Sequence, residues 1–166
     1  MRDQLRSRVY AAELQVRAAI ERAAGGEGVD FFGSMLPAPQ ERRFGSLEEV
    51  DSYLQRVLTE PRAVSAFGPL PAPGVRLRAG EAEAHYEFGR AVIALPAASD
   101  WAWRELVVLH ELAHHVTALN SPGTASHGPE FAAVYCQLVE WELGGAAGLL
   151  LRAALDGEGV VVGGVV

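Results

Sequence analysis

Five consecutive residues, His110-Glu111-Leu112-Ala113-His114, form an H-E-x-x-H pattern. On a helix, side chains four positions apart lie about 40° apart around the axis and one turn along it, so two such imidazoles can reach a single ion. Glu111 falls roughly 60° further round than His114, at the edge of the same face, within reach of the ion's open coordination position. Zn²⁺ with three protein ligands keeps one water and lowers its pKa to about 7. A carboxylate beside that water can take its proton and later deliver it to a leaving group. For a chain holding five histidines, random placement yields on the order of 0.01 such patterns.

A third ligand is required. His127 lies in Ser126-His127-Gly128-Pro129-Glu130-Phe131, after a polar loop short enough to turn back toward the motif. Glu130 and Glu140, carboxylates on the following segment, are the alternatives. His115 is about 140° around the helix from His110 and is expected in a supporting polar role. For stabilising an oxyanion, the candidates are His85 and Tyr86, on an extended segment before the motif, and Tyr135 after it. Glu105 and Glu130 are candidates to hold the free ring nitrogens of ligating histidines, with exposed helix carboxylates as the plain alternative. Cys136, among Phe131, Val134 and Leu138, reads as a small buried hydrophobe.

The elements that must position these groups follow from periodicity. Leu5, Val9, Ala12, Val16 and Ile20 predict a helix over 3–24, ended by Gly25-Gly26. Residues 27–45, with Pro37, Pro39 and Gly45, read as loop. Ser46 followed by Glu49 is a capping box that opens a helix to about Thr59, and 61–74 reads as a connection. The period then changes to two. Val75–Arg78, Ala84–Phe88 and Ala91–Leu95 predict a three-stranded antiparallel meander with turns at Gly80 and Gly89. Ser99 or Asp100 caps a helix from Trp101 to about Leu119. Pro129, well placed in a first helical turn, opens another to about Leu143. A short apolar helix ends near Asp156, and the Val/Gly tail 157–166 carries no assigned role.

The expected fold class is α+β, a small antiparallel or mixed sheet packed against the motif helix and further helices, in one domain spanning 1–166. The 166 residues are 49% hydrophobic and 21% charged, enough for a proper core. No run approaches the 18 or so apolar residues of a membrane-spanning helix. Met1-Arg2-Asp3-Gln4 has no apolar stretch behind its charges, so no secretory signal is expected and the expected location is cytoplasmic. The single cysteine excludes an internal disulfide framework and a four-cysteine zinc ribbon. A net charge of −7 argues against general nucleic-acid binding, which relies on clustered basic residues. Every basic residue is Arg, a composition typical of GC-rich bacterial coding sequence that says nothing about activity.

H-E-x-x-H followed after a short loop by H-G-P-x-F resembles the SprT-like zinc metallopeptidases over about residues 75–143. The wider arrangement is similar to a group of small metallohydrolases from GC-rich bacteria whose substrate is unassigned. That likeness covers most of the chain, through Arg8-Val9-Tyr10-Ala11-Ala12-Glu13, Ala84-His85-Tyr86, Arg104 to His115, and Ser126 to Phe131. It implies a zincin-like fold, one Zn²⁺ on His110, His114 and His127, Glu111 as general base, and a peptide or protein substrate. SprT-like proteins acting on DNA-bound proteins carry basic regions or a zinc ribbon, which this acidic chain lacks, so the DNA-linked role is not transferred. Two further readings stand beside the hydrolase: a non-catalytic zinc-stabilised binding domain, and a nucleic-acid-associated protease.

Overall fold

A computed structural model of the chain describes residues 5–26, 28–79, 83–97 and 100–164. It is α+β, with six helices and two small sheets. By its contacts the chain separates into two compact units, one built from residues 5–41 and 124–164 and the other from 42–123. No helix among the described residues is long and apolar enough to cross a membrane.

In the first unit, α1 (Arg6–Ala23) buries Val9, Ala12, Val16 and Ile20 of the predicted stripe, together with Glu13 and Ala19, while Leu5 precedes the helix as its half-buried N-cap. The loop expected over 27–45 contains a hairpin instead, β1 (Val29–Phe31) and β2 (Ser34–Leu36), paired antiparallel. Phe32 and Gly33, both at positive φ, make its two-residue turn, and Asp30 Oδ1 accepts from the Gly33 amide at 2.8 Å. Three-residue strands are too short for periodicity to reveal. Helices α5 (Pro129–Leu143) and α6 (Gly145–Gly157) pack together, and α6 also packs on α1. Their approach requires Gly148, where an added Cβ would stand 2.7 Å from the Glu140 Cβ. The tail is partly anchored. Val160 is buried and the Gly163 amide donates to the Pro129 carbonyl at 3.0 Å.

In the second unit, α2 (Leu47–Thr59) shows the expected capping box, with a variation. Ser46 Oγ accepts from the Glu49 amide at 3.2 Å, while Glu49 reaches back to the Gly45 amide at 2.7 Å rather than to Ser46. Val50, Tyr53, Leu54, Val57 and Leu58 form its buried stripe. The connection expected over 61–74 begins with α3 (Pro61–Phe67). Pro61 does end α2, but a proline at the first helical position also starts a new helix, because its fixed φ suits that turn and its missing N–H goes unused there.

The sheet corrects the predicted meander. Strands β3 (Gly74–Arg78), β4 (His85–Glu87) and β5 (Val92–Pro96) lie in the order β3-β5-β4, with β3 parallel and β4 antiparallel to β5. Ile93, Ala94 and Leu95 are wholly buried, so β5 takes the centre, and alternating β3 and short β4 become edges. The turn expected at Gly80 and the cap at Ser99 lie outside the described residues. Asp100–Trp103 is a 3₁₀ turn, so α4 (Glu105–Asn120) starts later than the predicted Trp101. Strand β4 packs against α4, and the Trp103 indole donates to the Pro96 carbonyl at 2.9 Å.

Candidate metal centre

Helix α4 is buried on nearly every side. Thirteen consecutive residues, Glu105 to Thr117, are buried, so its motif side chains lie in protein rather than on a surface. His110, Glu111 and His114 are at most 6% exposed. The helical spacing places the two imidazoles as expected, with the Nε2 atoms 3.2 Å apart and the rings crossing at 72°. Two nitrogens bound tetrahedrally at 2.0–2.1 Å from one zinc lie about 3.3 Å apart, so the pair already has the spacing a shared ion demands.

His127 sits in the turn that enters α5, buried, its ring against Phe131 at 5.0 Å and Tyr10 at 6.0 Å. The turn is tight. The Gly128 amide donates to the Ala125 carbonyl at 2.9 Å, and a Cβ at Gly128 would come within 3.1 Å of that oxygen. Glycine therefore follows His127 for steric reasons, and Pro129 then begins the helix.

Ligand nitrogens of His110, His114 and His127 all lie within 4.8 Å of one another, and all three residues are buried. Three imidazole nitrogens this close together are donors of the type and number that suit a borderline divalent cation. The donor set thus fits a metal ion. The alternatives for the third position do not join: among the described residues no carboxylate or thiolate enters this cluster, Glu130 is half-buried at the start of α5 and Glu140 is exposed.

The candidate supporting residues divide. Glu105 does not serve a histidine in the bonds that define it. Its carboxylate accepts from the Arg42 amide at 2.9 Å, the Arg42 guanidinium at 2.6 Å and the Tyr53 hydroxyl at 2.8 Å, clamping residues 42–44 to the start of α4. His115 takes the expected polar role. Its Nε2–H donates to the Pro71 carbonyl at 2.8 Å, which leaves Nδ1 to accept from the Tyr86 hydroxyl at 2.9 Å. Burial lowers the His115 pKa, against the opposing effect of the Pro71 bond, and burial raises that of Tyr86.

Of the three oxyanion candidates, Tyr86 is buried and committed to His115, and His85 is exposed on β4. Tyr135 is wholly buried and donates to Glu13 at 2.6 Å. Burial first, then the Glu13 carboxylate, holds its phenol well above the usual value. Cys136 is the buried thiol expected, pushed up by burial to about 11.

Sequence reasoning missed Phe88, which stands beside the pair. It is 52% exposed, yet its ring meets His114 at 5.6 Å and Tyr86 at 5.0 Å. The only signal in the sequence is its place as the last residue of the predicted strand Ala84–Phe88.

Comparison of the chain with known protein families, with curated proteins and with solved structures found no match.

Proposed function

We propose that this protein is a zinc-dependent metallohydrolase, acting on an amide and most simply on a peptide bond. His110, His114 and His127 hold the ion, and Glu111 is the general base. The observation that carries this reading is the cluster of three buried imidazole nitrogens within 4.8 Å, with no fourth protein ligand in it among the described residues. Structural zinc sites are usually closed by four protein ligands, whereas catalytic ones keep a position open. The likeness to SprT-like metallopeptidases and to the small metallohydrolases points the same way.

Zinc held there supplies Lewis acidity toward a substrate carbonyl and toward water. The remaining chemistry belongs to the chain. A Glu111 carboxylate oxygen takes a proton from the attacking water as its oxygen bonds to the carbonyl carbon. The same oxygen returns that proton to the amide nitrogen as the C–N bond breaks. Burial of Glu111 and of the histidines keeps bulk water from competing for that proton.

The test pairs metal content with turnover. Purified wild-type chain should carry about one equivalent of zinc, and His127→Ala should lose most of it. Glu111→Gln should keep the zinc while hydrolysis of a mixed peptide pool falls by about 10²- to 10⁴-fold, the range general acid–base groups contribute. Wild-type protein that takes up no zinc, or a Glu111→Gln variant as active as wild type, overturns the assignment.

A further inference from the structure

Phe88 is an exposed aromatic side chain that nevertheless has a fixed place. It follows edge strand β4, in the turn at residues 88–90, with 52% of its surface open. Its ring stands edge-on to Tyr86, at 5.0 Å and 76°, and to His114, at 5.6 Å and 62°. Tyr86 is itself held by its bond to His115 Nδ1 and by an edge contact with the His115 ring at 5.6 Å, and His115 is held by the Pro71 carbonyl. Four rings, His115, Tyr86, Phe88 and His114, thus form one chain of contacts inside the second unit. Edge-to-face pairs favour defined orientations, so the open surface of Phe88 is presented in a set direction, one ring removed from the nitrogen pair.

Such a surface has an energetic asymmetry. A phenyl ring left half in water keeps about half of its burial free energy unrealised, and an apolar group laid on it removes both surfaces from water. A charged or small side chain gains nothing comparable. We infer that Phe88 forms an apolar subsite beside the candidate metal centre and selects substrates bearing a large apolar side chain next to the bond to be cleaved. This rests on the metallohydrolase reading, and the two fail in different ways.

The experiment measures affinity rather than turnover. Two metal-binding probes, acetohydroxamate and its phenyl-bearing homologue N-hydroxy-3-phenylpropanamide, are titrated calorimetrically into zinc-loaded full-length chain. The phenyl compound should bind wild type about 10-fold more tightly, the gain expected for covering one ring face. Phe88→Ser should reduce that ratio to about 2 or less while leaving acetohydroxamate affinity within about 2-fold, and Phe88→Leu should retain most of the preference. Because Phe88 is half in water, these variants should fold, which far-UV circular dichroism checks. If acetohydroxamate binds all variants alike and the phenyl preference is absent or survives Phe88→Ser, the subsite is refuted and the metal centre stands. If zinc-loaded wild type binds neither hydroxamate, the open coordination position is refuted and the subsite with it.

Discussion

Helices α4 and α5 are alike in length and burial and opposite in content. Residues 105–117 of α4 are all buried, and α5 buries Phe131 to Cys136 together with Leu138, Val139 and Leu143. Neither shows the single apolar stripe that marks α2. What differs is which side chains the burial encloses. The α5 interior is hydrocarbon apart from the Tyr135 phenol, bonded to Glu13, and the Cys136 thiol. In α4 the enclosed side chains include Glu105, His110, Glu111, His114, His115 and Thr117. Burying ionisable groups costs free energy unless bonds or an ion compensate, so α5 is accounted for by packing almost alone, whereas α4 calls for polar partners or an ion as well. Within α4, Glu105 and His115 are satisfied by hydrogen bonds to their neighbours, while the ligand nitrogens of His110 and His114 lie within 4.8 Å of each other and of His127.

That contrast can be broken by experiment, and the largest lever is metal. Zinc at about a thousandfold excess over its dissociation constant should stabilise the fold by about 4 kcal/mol. For a chain of this size that raises the melting temperature by about 10 °C. A differential-scanning measurement on His110→Ala should show the increment gone; an equal increment in that variant would place the binding elsewhere.

Next in size is the first turn of α4. Glu105→Ala removes the acceptor of three hydrogen bonds and should cost about 3 kcal/mol in a urea titration. Zinc stoichiometry should not change, since those bonds go to Arg42 and Tyr53 rather than to the histidines. Loss of zinc in this variant would contradict the separation of α4 into a structural end and a candidate metal-binding middle.

In α5 the corresponding change is smaller. Tyr135→Phe deletes the 2.6 Å bond to Glu13 and should cost about 2 kcal/mol, again with zinc retained.

The smallest effect is alkaline. The Cys136 thiol is raised by burial to about 11 in the fold, from an ordinary value of 9.0. The unfolded chain therefore loses this proton first as pH rises. Stability contributed by the protonated thiol is complete below pH 9 and declines through pH 11, by about 1 kcal/mol at pH 10. Urea midpoints at pH 8 and pH 10 should differ by less in Cys136→Ala than in wild type; an unchanged difference would assign the alkaline loss to other groups.

Much of the site was legible in the chain because it is local. His110, Glu111 and His114 depend only on helical repeat, and the polar loop that ends in His127 is short enough to bring it back. The capping box at Ser46 and the helix start at Pro129 are equally local, each a matter of which side chain or ring satisfies the first turn. The misreadings were of other kinds. The β1–β2 strands are too short for a period to show, and Pro61 ends one helix while starting the next. The order β3-β5-β4 depends on which strand buries most surface. Glu105 looked available to a histidine until Arg42 and Tyr53, distant in sequence, proved to be its partners.

By itself the amino-acid sequence determined the spacing of two imidazoles and a carboxylate on one helix, because the α-helix repeats every 3.6 residues whatever surrounds it. Only tertiary structure decided that α4 is buried along this length, that His127 converges with His110 and His114, and that Phe88 rests on His114 with half its ring in water. Those outcomes depend on contacts between residues far apart in the chain, and no local pattern encodes the free energy of such contacts.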